Sequence, residues 1–181
     1  FQFNPNNNSF TKKVDFSSGP GGRNPSGSLI QGADGNLYGT TAYGGTNDMG
    51  VIFQYSIANN TYTKKLDFNG TLNGNYPLGS MLLAADGKLY GMTAGGGTYN
   101  RGIIFKYDYT TNILQKKVDF DGATTGSMPM GDLIQTSNGN IYGLTRNGGA
   151  YNKGVLFQYN YGSGIFNRKV DLALIYYFKL L

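Results

Sequence analysis

The side chains that could bind or react lie in loops recurring at a fixed spacing. One set runs over Tyr43 to Met49, Gly95 to Arg101 and Asn147 to Lys153. The first of these loops offers Tyr43, Asn47 and Asp48, the second Tyr99, Asn100 and Arg101. The third offers Asn147, Tyr151, Asn152 and Lys153, with Arg146 just ahead of it. Aromatic rings, amides and guanidinium groups among glycines suit stacking and adaptable hydrogen bonding, as recognition of a glycan or a protein surface requires. The plainer reading is that Asn and Gly are there to form the turns. A second set of loops covers Ser17 to Ser26, Asn69 to Leu78 and Asp121 to Met130. Long loops on a rigid framework are where binding usually sits.

What is absent narrows the chemistry further. There is no His, Cys or Trp, and the ten acidic residues are all Asp. Without Cys there are no disulfides or thiolate metal sites. Without His the usual general base and commonest metal ligand are missing. Hydrolysis by paired carboxylates would need two Asp from different repeats. Asp48 and Asp132 are the loop candidates, and Asp132 replaces a Ser of the other copies. Asp119-Phe120-Asp121-Gly122 is a poor calcium loop, because only one copy has the second Asp and no Glu follows. Gly95-Gly96-Gly97 lacks the Gly-Lys-Ser/Thr and the helix of a phosphate loop. No cofactor or metal is expected. Asn7, Asn59 and Asn69 open Asn-x-Ser/Thr triplets, which an Asn-rich chain produces by chance.

The loops keep their spacing because the chain repeats every fifty-two residues. Tyr-Gly recurs at Tyr38, Tyr90 and Tyr142, and the aromatic closing Lys-Lys-Val-Asp-Phe at Phe16, Phe68 and Phe120, with Leu172 in the fourth copy. A period near fifty marks a repeat architecture. Fourteen positions are identical in all three complete copies, and seven of them are Gly. These read as framework, and the divergent positions as possible function.

One unit holds four strand signals: Ser28 to Gln31, Leu37 to Thr41, Val51 to Tyr55 and Tyr62 to Phe68. Asp34-Gly35 signals a hairpin between the first two. No segment has a helical apolar period. The fold class expected is all-β, with β-propeller-type blades of four antiparallel strands. In the fourth strand, alternation puts Tyr62, Lys64, Leu66 and Phe68 on one face, and Lys65 and Asp67 on the other. Tyr38 and Phe53 are expected between blades, and Thr41 bonded into the loop after its strand.

The blades run over residues 17–68, 69–120 and 121–172. Residues 1–16 form a half blade, because Phe1-Gln2-Phe3 aligns with Phe53-Gln54-Tyr55. Residues 173–181 are a divergent apolar tail. About three and a half blades imply an open arc or a fragment of a larger propeller, with further blades of the same protein as partners. The alternative is a small ring in which Leu174 to Leu180 adds a strand beside the half blade.

Net charge is +5, with eight of fifteen basic residues in the recurring pairs Lys12-Lys13, Lys64-Lys65, Lys116-Lys117 and Arg168-Lys169. Lysines on an outermost strand discourage edge pairing. The even spread of Lys and Asp reads as a solvated, self-compensated edge, so no nucleic-acid partner is expected. No secretion signal is visible, and the apolar end is too short for a membrane span.

The series Gly-Ser-Leu-Ile, Asp34-Gly35-Asn36-Leu37-Tyr38-Gly39-Thr40-Thr41, Gly44-Gly45 and Gly50-Val51-Ile52-Phe53-Gln54-Tyr55 resembles the GloVer tandem repeat family. It recurs around Asp86-Gly87 and Asn138-Gly139 and covers essentially residues 1 to 172. More loosely, the order of strands is similar to NHL-type propellers. The resemblance implies a bacterial protein, secreted or on the cell surface, with propeller-like repeats and no catalytic residues to transfer. The functional expectation is a non-catalytic repeat module binding glycan or protein through one loop face. A fragment of a propeller hydrolase or lyase and a purely structural spacer are the alternatives.

Overall fold

The computed structural model describes residues 1–16 and 19–173. The expected strand over Leu174 to Leu180 lies outside these residues, as do Ser17 and Ser18 of the first blade-to-blade loop. Strands β1 (Gln2–Asn4) and β2 (Ser9–Thr11) form an N-terminal hairpin. The first blade contains β3 (Arg23–Pro25), β4 (Ile30–Gln31), β5 (Leu37–Tyr43), β6 (Val51–Ser56) and β7 (Thr61–Asp67). The second contains β8 (Leu82–Leu83), β9 (Leu89–Thr93), β10 (Ile103–Asp108) and β11 (Ile113–Asp119). The third contains β12 (Ser127–Pro129), β13 (Ile134–Gln135), β14 (Ile141–Asn147), β15 (Val155–Tyr159) and β16 (Phe166–Asp171). Each blade is a separate antiparallel sheet, and no strand of the third pairs with the N-terminal hairpin. Among the described residues the series is therefore an open arc. No described helix is long and apolar enough to cross a membrane.

The core lies between blades. One cluster joins Tyr38, Ile52 and Phe68 of the first blade to Leu89, Ile103 and Phe105 of the second. The next joins Tyr90, Ile104 and Phe120 to Leu133, Ile141 and Phe157. The aromatic closing one repeat meets the Phe of the following blade each time: Phe16–Phe53 at 5.1 Å, Phe68–Phe105 at 5.6 Å and Phe120–Phe157 at 5.5 Å. Such pairs favour tilted rings at this separation. The same contact is thus repeated at each junction, as in solenoids whose units touch only their neighbours.

Two sequence expectations need correction. The first strand, expected over Ser28 to Gln31, is only Ile30–Gln31, and a separate piece, β3, lies within the expected Ser17 to Ser26 loop: β3 and β4 both pair with β5, through Arg23↔Tyr43 and Pro25↔Thr41, then Ile30↔Tyr38 and Gln31↔Leu37. Asn24 has φ +57° and Pro25 has no N–H, so an unbroken ladder cannot form there. In the second blade the first piece shrinks to a single bridge, Asn75↔Gly95.

The outer strand does not alternate throughout. Ile52 faces Leu66 but Phe53 faces Lys64, so Lys65 is the extra residue of a bulge. The same shift leaves out Lys117 and Lys169 in the other blades. The bulge turns Leu66 and Phe68 toward the second blade, while Tyr62 faces the other way, onto Phe16 and Phe53. A lysine-bearing bulge on the outermost strand also spoils a template for edge-to-edge pairing.

Candidate functional site

The long loops are built by a fixed set of internal bonds. The Thr41 hydroxyl donates to the Tyr43 carbonyl at 2.8 Å and accepts from the Val51 N–H at 3.2 Å. Thr93 and Thr145 do the same in their blades. The carboxylate of Asp119 accepts from the Thr98 N–H at 2.8 Å and its hydroxyl at 3.1 Å, and pairs with Lys116 at 2.7 Å. Asp67 repeats this with Thr46 and Lys64. These Asp residues therefore tie the loop to the outer strand, as well as compensating charge along an edge. Among the described residues only the first basic residue of each pair is neutralised. Lys65, Lys117 and Lys169 form no ion pair among the described residues.

Both loop sets lie at one end of the blades. Gly45 N–H donates to Gly19, Gly97 N–H to Gly70 and Gly149 N–H to Gly122. Within this end the sequence candidates separate. Asp48, Asn100 and Asn152 occupy equivalent positions, all with positive φ, and accept from the N–H groups of Gly44, Gly96 and Gly148. They close the loops. Asn47 donates to the Phe68 carbonyl at 3.1 Å. Arg101 lies over Gly122 of the next linker, where added bulk would meet its guanidinium. Tyr99, Tyr151 and Lys153 project into solvent at the loop tips.

Tyr43 belongs to a different group. The Arg23 guanidinium stacks over its ring at 4.7 Å and forms a 2.7 Å ion pair with Asp48. The Tyr76 ring, from the second blade, packs on Tyr43 at 5.1 Å. Bonding to Arg23, together with the Gly44 N–H, holds the Asp48 carboxyl below the usual carboxylate range. Tyr76 has φ +56°, a left-handed conformation unusual for a bulky residue. Both rings are exposed. Farther along the same inner edge, Asn147 contacts Met128 and Arg146 contacts Met130 through sulfur. Met128 shares the left-handed conformation, with φ +53°.

Sequence reasoning missed Arg23 and Tyr76, although a signal was present. Positions 23 and 24 differ in every copy, as Arg23, Asn75 and Ser127, then Asn24, Tyr76 and Met128.

The structure does not bring Asp48 and Asp132 together. Asp48 is held by Arg23, while Asp132 accepts the Ser80 N–H at 2.6 Å. Among the described residues no group of three or more acids could hold a metal. Asp121, the other half of the calcium test, accepts from Thr124 and Thr125. Its burial opposes ionisation, but those hydrogen bonds outweigh it and bring the pKa down to about 2. Asp67 and Asp119 are lowered in the same way, against desolvation, by their lysine and threonine partners. A lowered folded-state pKa contributes stability above the unfolded value and loses it as pH falls through the folded one. The melting temperature should therefore hold from neutral pH to about 5 and drop between about pH 4 and 2. Melts recorded across that range by circular dichroism would check this. A flat profile down to pH 2 would contradict it.

The architecture defines a class: propeller-type antiparallel blades in an open arc. The chain belongs to the Gloeobacter/Verrucomicrobia repeat family, whose model matches residues 1–157. No curated protein matches it significantly. Among solved structures it is similar to a polysaccharide lyase of family PL25, an ulvan lyase bound to a GlcA–Rha3S glycan. The TM-score is 0.56 at 17% identity, over 87% of this chain and 41% of that one. It is also similar to the extracellular domain of BT4673 from B. thetaiotaomicron, with TM-score 0.54 at 14% identity, over 81% of this chain and 16% of that one. TolB from Acinetobacter baumannii gives TM-score 0.51 at 17% identity, over 78% and 31%. At such identities the likeness concerns the fold. The chain spans less than half the length of each of these structures.

Proposed function

We propose that this chain is a non-catalytic module of an extracellular bacterial protein that holds a glycan on its loop face at Arg23, Tyr43 and Tyr76. The observation carrying this reading is the exposed stack of those three side chains across the first junction. It is built from positions that the other copies do not share, so the framework does not require it. Two tyrosine faces accept the apolar faces of sugar rings, and the guanidinium supplies planar donors to hydroxyl or carboxylate oxygens. The backbone strain at Tyr76 costs about 1–2 kcal/mol. The equivalent Asn24 and Met128 have φ +57° and +53°, so this conformation belongs to the framework and the side chain alone distinguishes Tyr76. An extracellular setting is supported by the neighbours that are extracellular domains, and a glycan by the lyase neighbour. Catalysis is disfavoured because each candidate carboxylate is held by a partner of its own.

A glycan array followed by calorimetric titration of the best ligand tests the reading. Tyr43→Ala and Tyr76→Ala should each weaken binding by about tenfold or more, equivalent to about 1.4 kcal/mol. Tyr99→Ala and Tyr151→Ala should leave it unchanged. A silent array at high protein concentration, or dependence on the loop tips alone, would count against the site. Depolymerisation of a bound polysaccharide would replace the module with an enzyme.

A further inference from the structure

The third blade displays on its outer face half of an interface whose complete form the chain shows twice. In the first blade this face presents Ile30, Tyr38, Ile52, Leu66 and Phe68 to the second blade. In the second it presents Leu82, Tyr90, Ile104, Val118 and Phe120 to the third. The equivalents in the third blade are Ile134, Tyr142, Leu156, Val170 and Leu172, and the side chains are again apolar or aromatic. Burial, however, changes abruptly. Met92 and Val118 are 4% and 9% exposed, whereas their counterparts Leu144 and Val170 are 50% and 48% exposed, and Ile134 is 61% exposed. An exposed apolar patch of this kind marks an interaction surface.

The polar contacts stop at the same place. Ser28 N–H donates to the Ser80 hydroxyl at 2.8 Å, and Ser80 N–H donates to Asp132 at 2.6 Å. Asp132 N–H has no acceptor among the described residues. Gly27 lies against the Gly79 carbonyl, where a methyl would sit 2.6 Å from the oxygen, and Gly79 lies likewise against Gly131. Around Gly131 the corresponding space is open. Pro77 covers Gly50 and Pro129 covers Gly102, but no proline covers Gly154.

We propose that this face is the seat of a further fifty-two-residue repeat. The contacts specify the chemistry of the occupant. It carries a proline over Gly154, a glycine carbonyl against Gly131, a hydroxyl or carboxylate accepting from Asp132 N–H, and a Phe ring against Leu172. A second copy of this chain is the poorer occupant: on its matching surface Phe1 and Phe16 already stand beside Pro25, Gly27, Leu29 and Phe53, lining with them an open cavity of about 420 Å³. The proposal is independent of the glycan reading.

The chain lacks cysteine, so a single introduced thiol reports on this face. In the 181-residue chain, Leu144→Cys should react with maleimide within about threefold of the exposed Tyr99→Cys. Inserting a copy of residues 69–120 between Leu172 and Ala173 should slow the Leu144→Cys reaction at least about tenfold, toward that of buried Met92→Cys. Unchanged labelling, in a chain whose added repeat raises the β signal, would overturn the proposal. So would slow labelling before insertion, whether sedimentation then shows a dimer or a monomer covered by its own tail. If the added repeat fails to fold, a copy of residues 17–68 is inserted instead. Failure of both counts against the seat.

Discussion

Phe105→Ala should lower the stability of the chain by about 3–5 kcal/mol, read as a shift in the urea midpoint. The ring is fully buried and lies between two blades, with Phe68 at 5.6 Å. Its removal takes contacts from both sides of a junction, and two sheets meeting along their faces cannot easily collapse into the space. Gly91 sits directly beneath the ring. A methyl at Gly91 would overlap it, so Gly91→Ala alone should cost about 1–3 kcal/mol by overpacking. In the Phe105→Ala background the same methyl enters the vacated volume. Gly91→Ala should then be neutral or stabilising, and the coupling between the two positions should reverse the sign of its effect. Additive losses would show that the ring and the glycine do not form one packing unit. Gly39 with Phe53 and Gly143 with Phe157 repeat the arrangement, which explains why both positions are identical in every copy.

Asp119→Ala should cost about 2–3 kcal/mol, because the carboxylate serves three donors at once. Loss of the carboxylate leaves the Thr98 N–H without a partner and the Lys116 ammonium with only the Thr98 hydroxyl, at 3.2 Å. The loop from Gly95 to Arg101 should then exchange its amide hydrogens faster, while the strands flanking it remain protected. Asp171→Ala should be milder. Ala150 stands where the other copies have Thr and offers only its N–H, at 3.0 Å, and Arg168 lies at a looser 3.5 Å. Hydrogen exchange followed by mass spectrometry would rank the two. Equal effects would mean that the threonine hydroxyl adds nothing.

The period, the strand content and the aromatic junctions were legible in the sequence because each rests on local chemistry. Strand formers alternate, turn residues punctuate them, and Tyr38 and Phe53 lie between sheets as expected. The bulge at Lys65 was not legible. Lys64, Lys65 and Leu66 read as plain alternation, and the extra residue emerges only from the register against Ile52 and Phe53. The break in the innermost strand was hidden similarly, since Asn24 and Pro25 mark a turn but not which strand the flanks join. For the candidate site, the sequence pointed to the loop end where Arg23, Tyr43 and Tyr76 also stand, but did not sort the residues there. That Asp48, Asn100 and Asn152 also close their loops, by accepting from the N–H groups of Gly44, Gly96 and Gly148, emerges only from the structure. Tyr76 was passed over because its contact with Tyr43 joins residues from different repeats, a proximity that no spacing within one repeat reveals.

The chain of bonds from Ser28 to Ser80 to Asp132 runs in one direction: each N–H points to the side chain of the following repeat. This gives the array a head and a tail, as charge alternation gives a crystal edge its polarity. A donor-terminated end meets an acceptor-terminated end, whereas two like ends would set donor against donor. A two-fold symmetric joint, in which one patch meets its own copy, is therefore disfavoured along this axis. Units of this kind extend by heterologous addition, and such growth ends only when the last unit meets the first or when a capping segment masks the final N–H.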